Sequence, residues 1–294
     1  MRMKIIRIAL IAGVAGITWP VLPAIAEDTA RISQSGDGNR SSITQTTSDE
    51  ALAESYVWGN GNTTDIIQQN VTQSGASVYE TGNGNTGLIH QHDGSNMTAA
   101  INPLNTTGTG TNNRAEITQS GNDQFIEIYQ GSTGGTIPED TGGSGNLVTA
   151  FQSGSFNTAV IGQPGSGNTA SLVQHGDGAV PSETNTATVE QSGTTGTVVL
   201  TQSGHQLEAN IIQSGEGNFA QSDQLGGQGF SWIVQTGISN SAHLSQINGG
   251  AGINSSIISQ ADMGNLATVS QNGSNLSSTV SQSGNYNVAN VTQN

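Results

Sequence analysis

Apolar and polar residues alternate along most of this chain, and a glutamine closes each alternating run. Gln191, Gln202, Gln213, Gln224, Gln235 and Gln246 follow one another at intervals of eleven. Gln260, Gln271, Gln282 and Gln293 keep the same interval, as do Gln152, Gln163 and Gln174, then Gln119 and Gln130, then Gln34 and Gln45. With Gln91 and one of Gln68, Gln69 and Gln73 added, 19 of the 25 glutamines stand at clock positions, so glutamine is not polar filler. The shared unit reads Q-x-G-x-x-N-x-A-x-Φ-x-Q, with Φ an Ile, Val or Leu. Gln163 to Gln174 carries Gly165, Asn168, Ala170 and Leu172; Gln282 to Gln293 carries Gly284, Asn287, Ala289 and Val291. Val57, Glu80, Asn102 and Thr141 stand in for the glutamine in weaker copies. Gaps interrupt the count after Asn102, after Gln174 and after Gln246, and Gln68, Gln69 and Gln73 compete for one place.

The spacing translates directly into structure. Asn, Ala, Φ and Gln lie at even separations, which puts all four on one face of a strand. The next four residues hold glycine at the second and often the fourth place, which is turn chemistry. A lone strand and turn cannot bury its face, but stacked copies can. The pattern predicts an all-β fold: a parallel two-sheet β-solenoid of about 22 strand-turn units, two units to a coil, about 11 coils. At ~4.8 Å per coil this is a rod roughly 50 Å long. Asn and Gln face inward and need partners, since an orphaned buried amide costs ~1–3 kcal/mol. In a parallel in-register stack each amide has its own kind above and below, and a ladder along the axis satisfies it. The ladder residues expected on this basis are Gln152, Asn157, Gln163, Asn168, Gln174, Gln191, Gln202, Gln213, Asn218, Gln224, Gln235, Gln246, Gln260, Asn265, Gln271, Gln282, Asn287 and Gln293.

Residues 1–26 break the pattern. Arg2, Lys4 and Arg7 precede a short apolar run, Pro20 and Pro23 interrupt it, and Ala24-Ile25-Ala26 is a small-x-small cleavage site. This predicts a signal peptide at 1–26, too short to span a bilayer, and a repeat domain at 27–294. No later segment is apolar enough to be a membrane span.

Composition narrows the function. Charged residues are 9% of the chain, against a usual ~25%, and glycine numbers 41, twice the usual share. So few charges and aromatics argue against an ordinary globular enzyme. Beyond residue 26 only Arg31, Arg40 and Arg114 are cationic, which excludes nucleic-acid binding through phosphate. There is no cysteine, so disulfides and thiolate sites are excluded. His90-x-His92 lacks a third metal ligand. The carboxylate pairs Asp49-Glu50 and Glu139-Asp140 lie in degenerate stretches and read as solvated loop, and Gly82-Asn-Gly84 lacks the lysine and helix of a phosphate loop. No catalytic residue, cofactor or metal is expected.

The repeat resembles the curlin repeat of bacterial curli fibres, the secreted functional amyloid of biofilms. Its core, Q-x-G-x-x-N-x-A-x3-Q, is matched at Gln152, Gly154, Asn157, Ala159 and Gln163, and again from Gln260 to Gln271 and from Gln282 to Gln293. The resemblance implies a secreted, cell-surface protein that polymerises by nucleated templating into adhesive fibres for biofilm matrix, surface adhesion and aggregation. It also implies a curli-type secretion pore, a chaperone and a co-subunit as partners, with host or abiotic surfaces as targets. The uniform unit of eleven is closer to the minor, nucleating subunit, and the glycine-rich leader of the major one is absent. Both subunit types remain open.

Two further expectations concern the surface. Counting alternate units onto one face puts Met97, Ile101, Phe125, Tyr129, Leu147 and Phe151 outward together, an apolar patch suited to lateral contact. The strand Asn287 to Gln293 is followed only by Asn294, so its edge is expected to be uncapped. The alternative reading is a monomeric solenoid whose flat face binds ice or glycan. Thr186-x-Thr188 suits that, but Arg114-x-Glu116, Phe125-x-Glu127 and Ser241-x-His243 interrupt any such rank.

Overall fold

The computed structural model describes residues 28–101, 110–130, 143–178, 183–250 and 252–294, together with the backbone of 7–12. The cleavage site at 24–26, the clock stand-ins Asn102 and Thr141, Glu139-Asp140, and the prolines at 103, 138 and 181 lie outside the described residues.

The described chain is all β and contains no helix; its strands stack in parallel into a solenoid of about ten turns, close to the number expected. Each strand pairs with the strand one coil away, residue for residue in the same place of the unit. In one stack β3 (Arg40–Thr46) lies on β5 (Thr63–Thr72), β5 on β7 (Thr86–Ser95), and β7 on β9 (Arg114–Asn122). The stack continues to β19 (Leu266–Asn272) and ends on β21 (Val288–Gln293). In the other, β2 (Thr29–Ser35) lies on β4 (Leu52–Asn60) and β4 on β6 (Gly75–Asn83), and the far end is β18 (Asn254–Gln260) on β20 (Ser277–Gln282). The segment Arg7–Ala12 forms β1, which pairs in parallel with the open edge of β2.

Burial follows the period of two. In β14 (Asn185–Gln191) Asn185, Ala187, Val189 and Gln191 are buried, and the residues between them are not. Small Ala and larger Ile, Val or Leu side chains from both stacks make one continuous core from Ala53 to Val280. Where an apolar residue is missing, hydroxyls pair across the interior: Ser55 with Thr64 at 2.6 Å, Ser222 with Ser231 at 2.8 Å. A buried hydroxyl tolerates the core only with such a partner.

The turns explain the glycines. At the first glycine of the turn, successive coils come so close that a Cβ on Gly154 would lie far inside contact with the carbonyl oxygen of Gly176, and one on Gly226 would meet that of Asn248. The second glycine needs only a left-handed backbone. Gly61 sits at φ 66° with nothing around its missing Cβ, while Thr195, Ser239 and Tyr286 take the same place at φ 53–59°.

Candidate functional site

The inward glutamines form two columns. In the first, each Nε2 donates to the Oε1 of the glutamine one coil onward, from Gln45 through Gln68, Gln91, Gln119, Gln152, Gln174, Gln202, Gln224, Gln246 and Gln271 to Gln293. The distances are 2.7–2.9 Å throughout. The second column runs Gln130, Gln163, Gln191, Gln213, Gln235, Gln260, Gln282 at 2.7–3.1 Å. The spacing identified the glutamines, but the column extends further toward the N-terminus than the ladder residues expected from 152 onward. Gln68, fully buried, takes the contested place; Gln69 and Gln73 are exposed.

Every amide of the two columns but Gln191 also reaches across the sandwich. The Nε2 of Gln213 donates to Thr197 O at 3.2 Å, that of Gln235 to Phe219 O at 2.9 Å, and that of Gln282 to Leu266 O at 3.0 Å. This backbone carbonyl orients the amide, because only the NH₂ side can face it. All ladder bonds therefore run the same way, N–H toward the C-terminal end. One glutamine thus holds register along the axis and ties the two sheets together.

The asparagines work differently from the ladder expected of them. They hold turns rather than chiefly bonding their own kind. Asn218 Nδ2 donates to Ser214 O at 2.8 Å and to Gly237 O of the next coil at 3.1 Å, while its Oδ1 accepts the backbone N–H of Asn240 at 3.0 Å. Asn168 bonds Gly193 O at 2.9 Å and accepts from Gly196 N at 2.8 Å. Asn157 bonds Ser153 O, and Asn265 bonds Ala261 O. Side-chain bonds between asparagines occur where Asn185 donates to Asn157, Asn265 to Asn240 and Asn287 to Asn265, at 3.0–3.2 Å. Asn113, Asn146, Asn240 and Asn254 are buried in the same role but stand outside the expected ladder; their signal is a place six residues before the clock glutamine.

The ends of the first column are unlike. Gln45 is 3% exposed and its Oε1 has no hydrogen-bond partner. At the other end Gln293 Nε2 donates to Ser277 O, and no further coil takes its second N–H. The last strand exposes its edge: Leu266 N–H bonds Asn287 O, so Asn287 faces back into the stack and Val288, Asn290 and Thr292 face out.

The apolar patch is not one surface. Met97 and Ile101 are fully buried, because Val78 pairs with Ile101 and puts β8 (Thr98–Ile101) one residue out of phase with the expected count. A shift of one residue turns every side chain over. Phe125 and Tyr129 lie on β10 (Phe125–Gln130), which stacks on β8; Leu147 and Phe151 lie on β11 (Leu147–Ser155), which stacks on β9 in the opposite sheet. No described strand separates β10 from β11, so the alternate-unit count across 131–142 comes out one short and the two pairs fall on opposite faces.

Other chemistry is sparse. Among the described residues no cluster of three His, Asp or Glu side chains could hold a metal, and no helix is long and apolar enough to cross a membrane. His90 and His92 lie 4.9 Å apart on the surface, with His92 against Asp93.

Fold and site together define a structural repeat protein: a parallel β-solenoid laddered by amides. The curlin-associated repeat model matches residues 143–176 and 263–294, so the chain carries curlin-associated repeats over these two stretches. No curated protein matches the chain. Family and fold are both of a structural, non-enzymatic kind.

Proposed function

We propose that this chain is a secreted subunit that self-assembles, end on end, into extracellular curli-like amyloid fibres serving biofilm matrix and adhesion. The observation carrying this reading is the complementarity of the two ends. One offers the buried, unpartnered Oε1 of Gln45; the other offers the N–H of Gln293 in the same column. A second copy continuing the coil would place its Gln45 over Gln293 and its Gln34 over Gln282. Such a heterologous contact does not close, and it makes filaments. The family supports the extracellular setting, and the amino-terminal pattern supports export with removal of residues 1–26. That removal would also take away β1 and free the edge of β2. A curli-type pore, chaperone and co-subunit are the partners this reading entails.

The test is to follow dilute chain beginning at Glu27 by Thioflavin fluorescence and electron microscopy. A lag, then fibres, with the lag abolished by sonicated seeds, is the expected result; a chain that stays monomeric and folded refutes the reading. The ladder can be tested in the same assay. Gln282→Ala with Gln293→Ala orphans inward groups at ~1–3 kcal/mol each. It is expected to lengthen the lag several-fold more than Thr279→Ala with Thr292→Ala, whose side chains are exposed. Equal lags would remove the amides from the mechanism.

A further inference from the structure

We propose that Glu80 is a proton-operated fault in the second glutamine column, closing the first coils when uncharged and loosening them when ionised.

Glu80 occupies the clock position of β6, where a glutamine stands in most units, and is 2% exposed. Its register partner on β4 is Val57, not an amide. The opposite strand is adapted to it. Gly87 on β7 stands where Ala115 stands one coil later, and a Cβ there would come within 2.6 Å of Val78 Cγ1 and 2.7 Å of Glu80 Oε1. The Val78 methyl and the Glu80 carboxyl together fill the space that an alanine methyl takes elsewhere. The glycine at 87 thus makes room for β6, the carboxyl included.

The surroundings are apolar: Val57, Val78, Ile89 and Ile101 are all buried. No charged group on the packed strands faces the carboxyl. Glu54 and Tyr56 on β4, Tyr79 on β6, and His90, His92 and Asp93 on β7 lie on the outer faces or in the turn, Asp65 on β5 likewise, and β8 carries none. Burial alone pushes the Glu80 carboxyl up to about 8. An unfolded or opened strand titrates near the ordinary ~4.3. Between those values the closed coil keeps a proton that the opened coil releases. Closure is therefore fully favoured below the ordinary value, weakens by up to about tenfold per pH unit as pH rises, and levels off above about 8. Neutral Glu80 is an amide-like group the core accepts; the carboxylate is a charge held among apolar side chains.

The experiment is hydrogen exchange read by mass spectrometry on monomeric chain beginning at Glu27, corrected for the intrinsic pH dependence of exchange. Protection of residues 52–101 is expected to fall at least a hundredfold from pH 5 to pH 8, while that of 197–248 stays level. Glu80→Gln is expected to abolish the fall, and Glu190→Gln, an outward control, to leave it intact. A fall that persists in Glu80→Gln, or none in the native chain, overturns the proposal. Should Glu80→Gln not fold, the carboxyl carbon of Glu80 in the native chain can be titrated by NMR. A midpoint above 7 supports the proposal, and a lower one overturns it. Neither readout requires fibres, so failure here is separable from failure of the assembly reading.

Discussion

Gly154→Ala is expected to cost about 2–5 kcal/mol of monomer stability, the sum of a left-handed backbone at ~1–2 kcal/mol and overpacking at ~1–3 kcal/mol. Gly154 has φ 82°, and its Cβ would collide with the carbonyl of Gly176, which is backbone held in register and cannot step aside. The strain is also not confined to one coil. Gly121 lies against Gly154 in turn, so the stack of first glycines forms a column of close backbone contacts. The control is Gly61→Ala. There φ is 66° and nothing lies within reach of the new methyl, so only the backbone cost of ~1–2 kcal/mol remains. Gly61→Asn is expected to recover most of it, since Asn tolerates that conformation. Urea midpoints of the monomers decide the matter: a Gly154→Ala midpoint no lower than that of Gly61→Ala would mean the coils can separate locally without loss.

The difference between the two glycines was invisible in the sequence, where both are turn residues two apart. What the residues did disclose was whatever repeats. Period two assigned the inward face, and the interval of eleven assigned the glutamine columns, because a solenoid makes each place in the unit meet itself. What the residues concealed was parity. Whether a degenerate stretch forms a strand or a loop decides which sheet every later unit joins, and 131–142 carries no mark of that choice. Hence the count puts Phe125 and Leu147 on one face, and they lie on two. The phase of β8 was hidden for a related reason: Asn102 passed for a clock residue, although Met97, Ala99 and Ile101 were equally well spaced to be the buried set. The asparagine roles were hidden by distance. Their partners are backbone carbonyls of the following coil, such as Gly193 for Asn168, and no spacing within one unit reports them.

Chain carrying Thr279→Pro and Asn290→Pro is expected to fold normally yet stop fibre growth at one end only, at far below equimolar amounts. In a parallel stack the N–H and C=O of one residue point to the same neighbour, and alternate residues point to opposite ones. Asn287 bonds back toward Leu266, so Asn290 in β21 points away from the stack, as does Thr279 by the same register in β20. Neither N–H is used within the monomer. Proline there removes a donor and sets a ring against the open edge without cutting an internal bond. The altered chain keeps its other end, with β2, β3 and the Oε1 of Gln45 intact. It can therefore dock on the C-terminal end of a growing fibre, and it then presents a dead edge. It cannot dock on the N-terminal end, where its own blocked edge would have to make the contact. Growth watched on single surface-bound seeds, with native chain plus about one-twentieth as much variant, should stop at one tip and continue at the other. Arrest of both tips would mean that subunits join without the direction the amide columns impose, and arrest of neither would mean that these edges are not where they join.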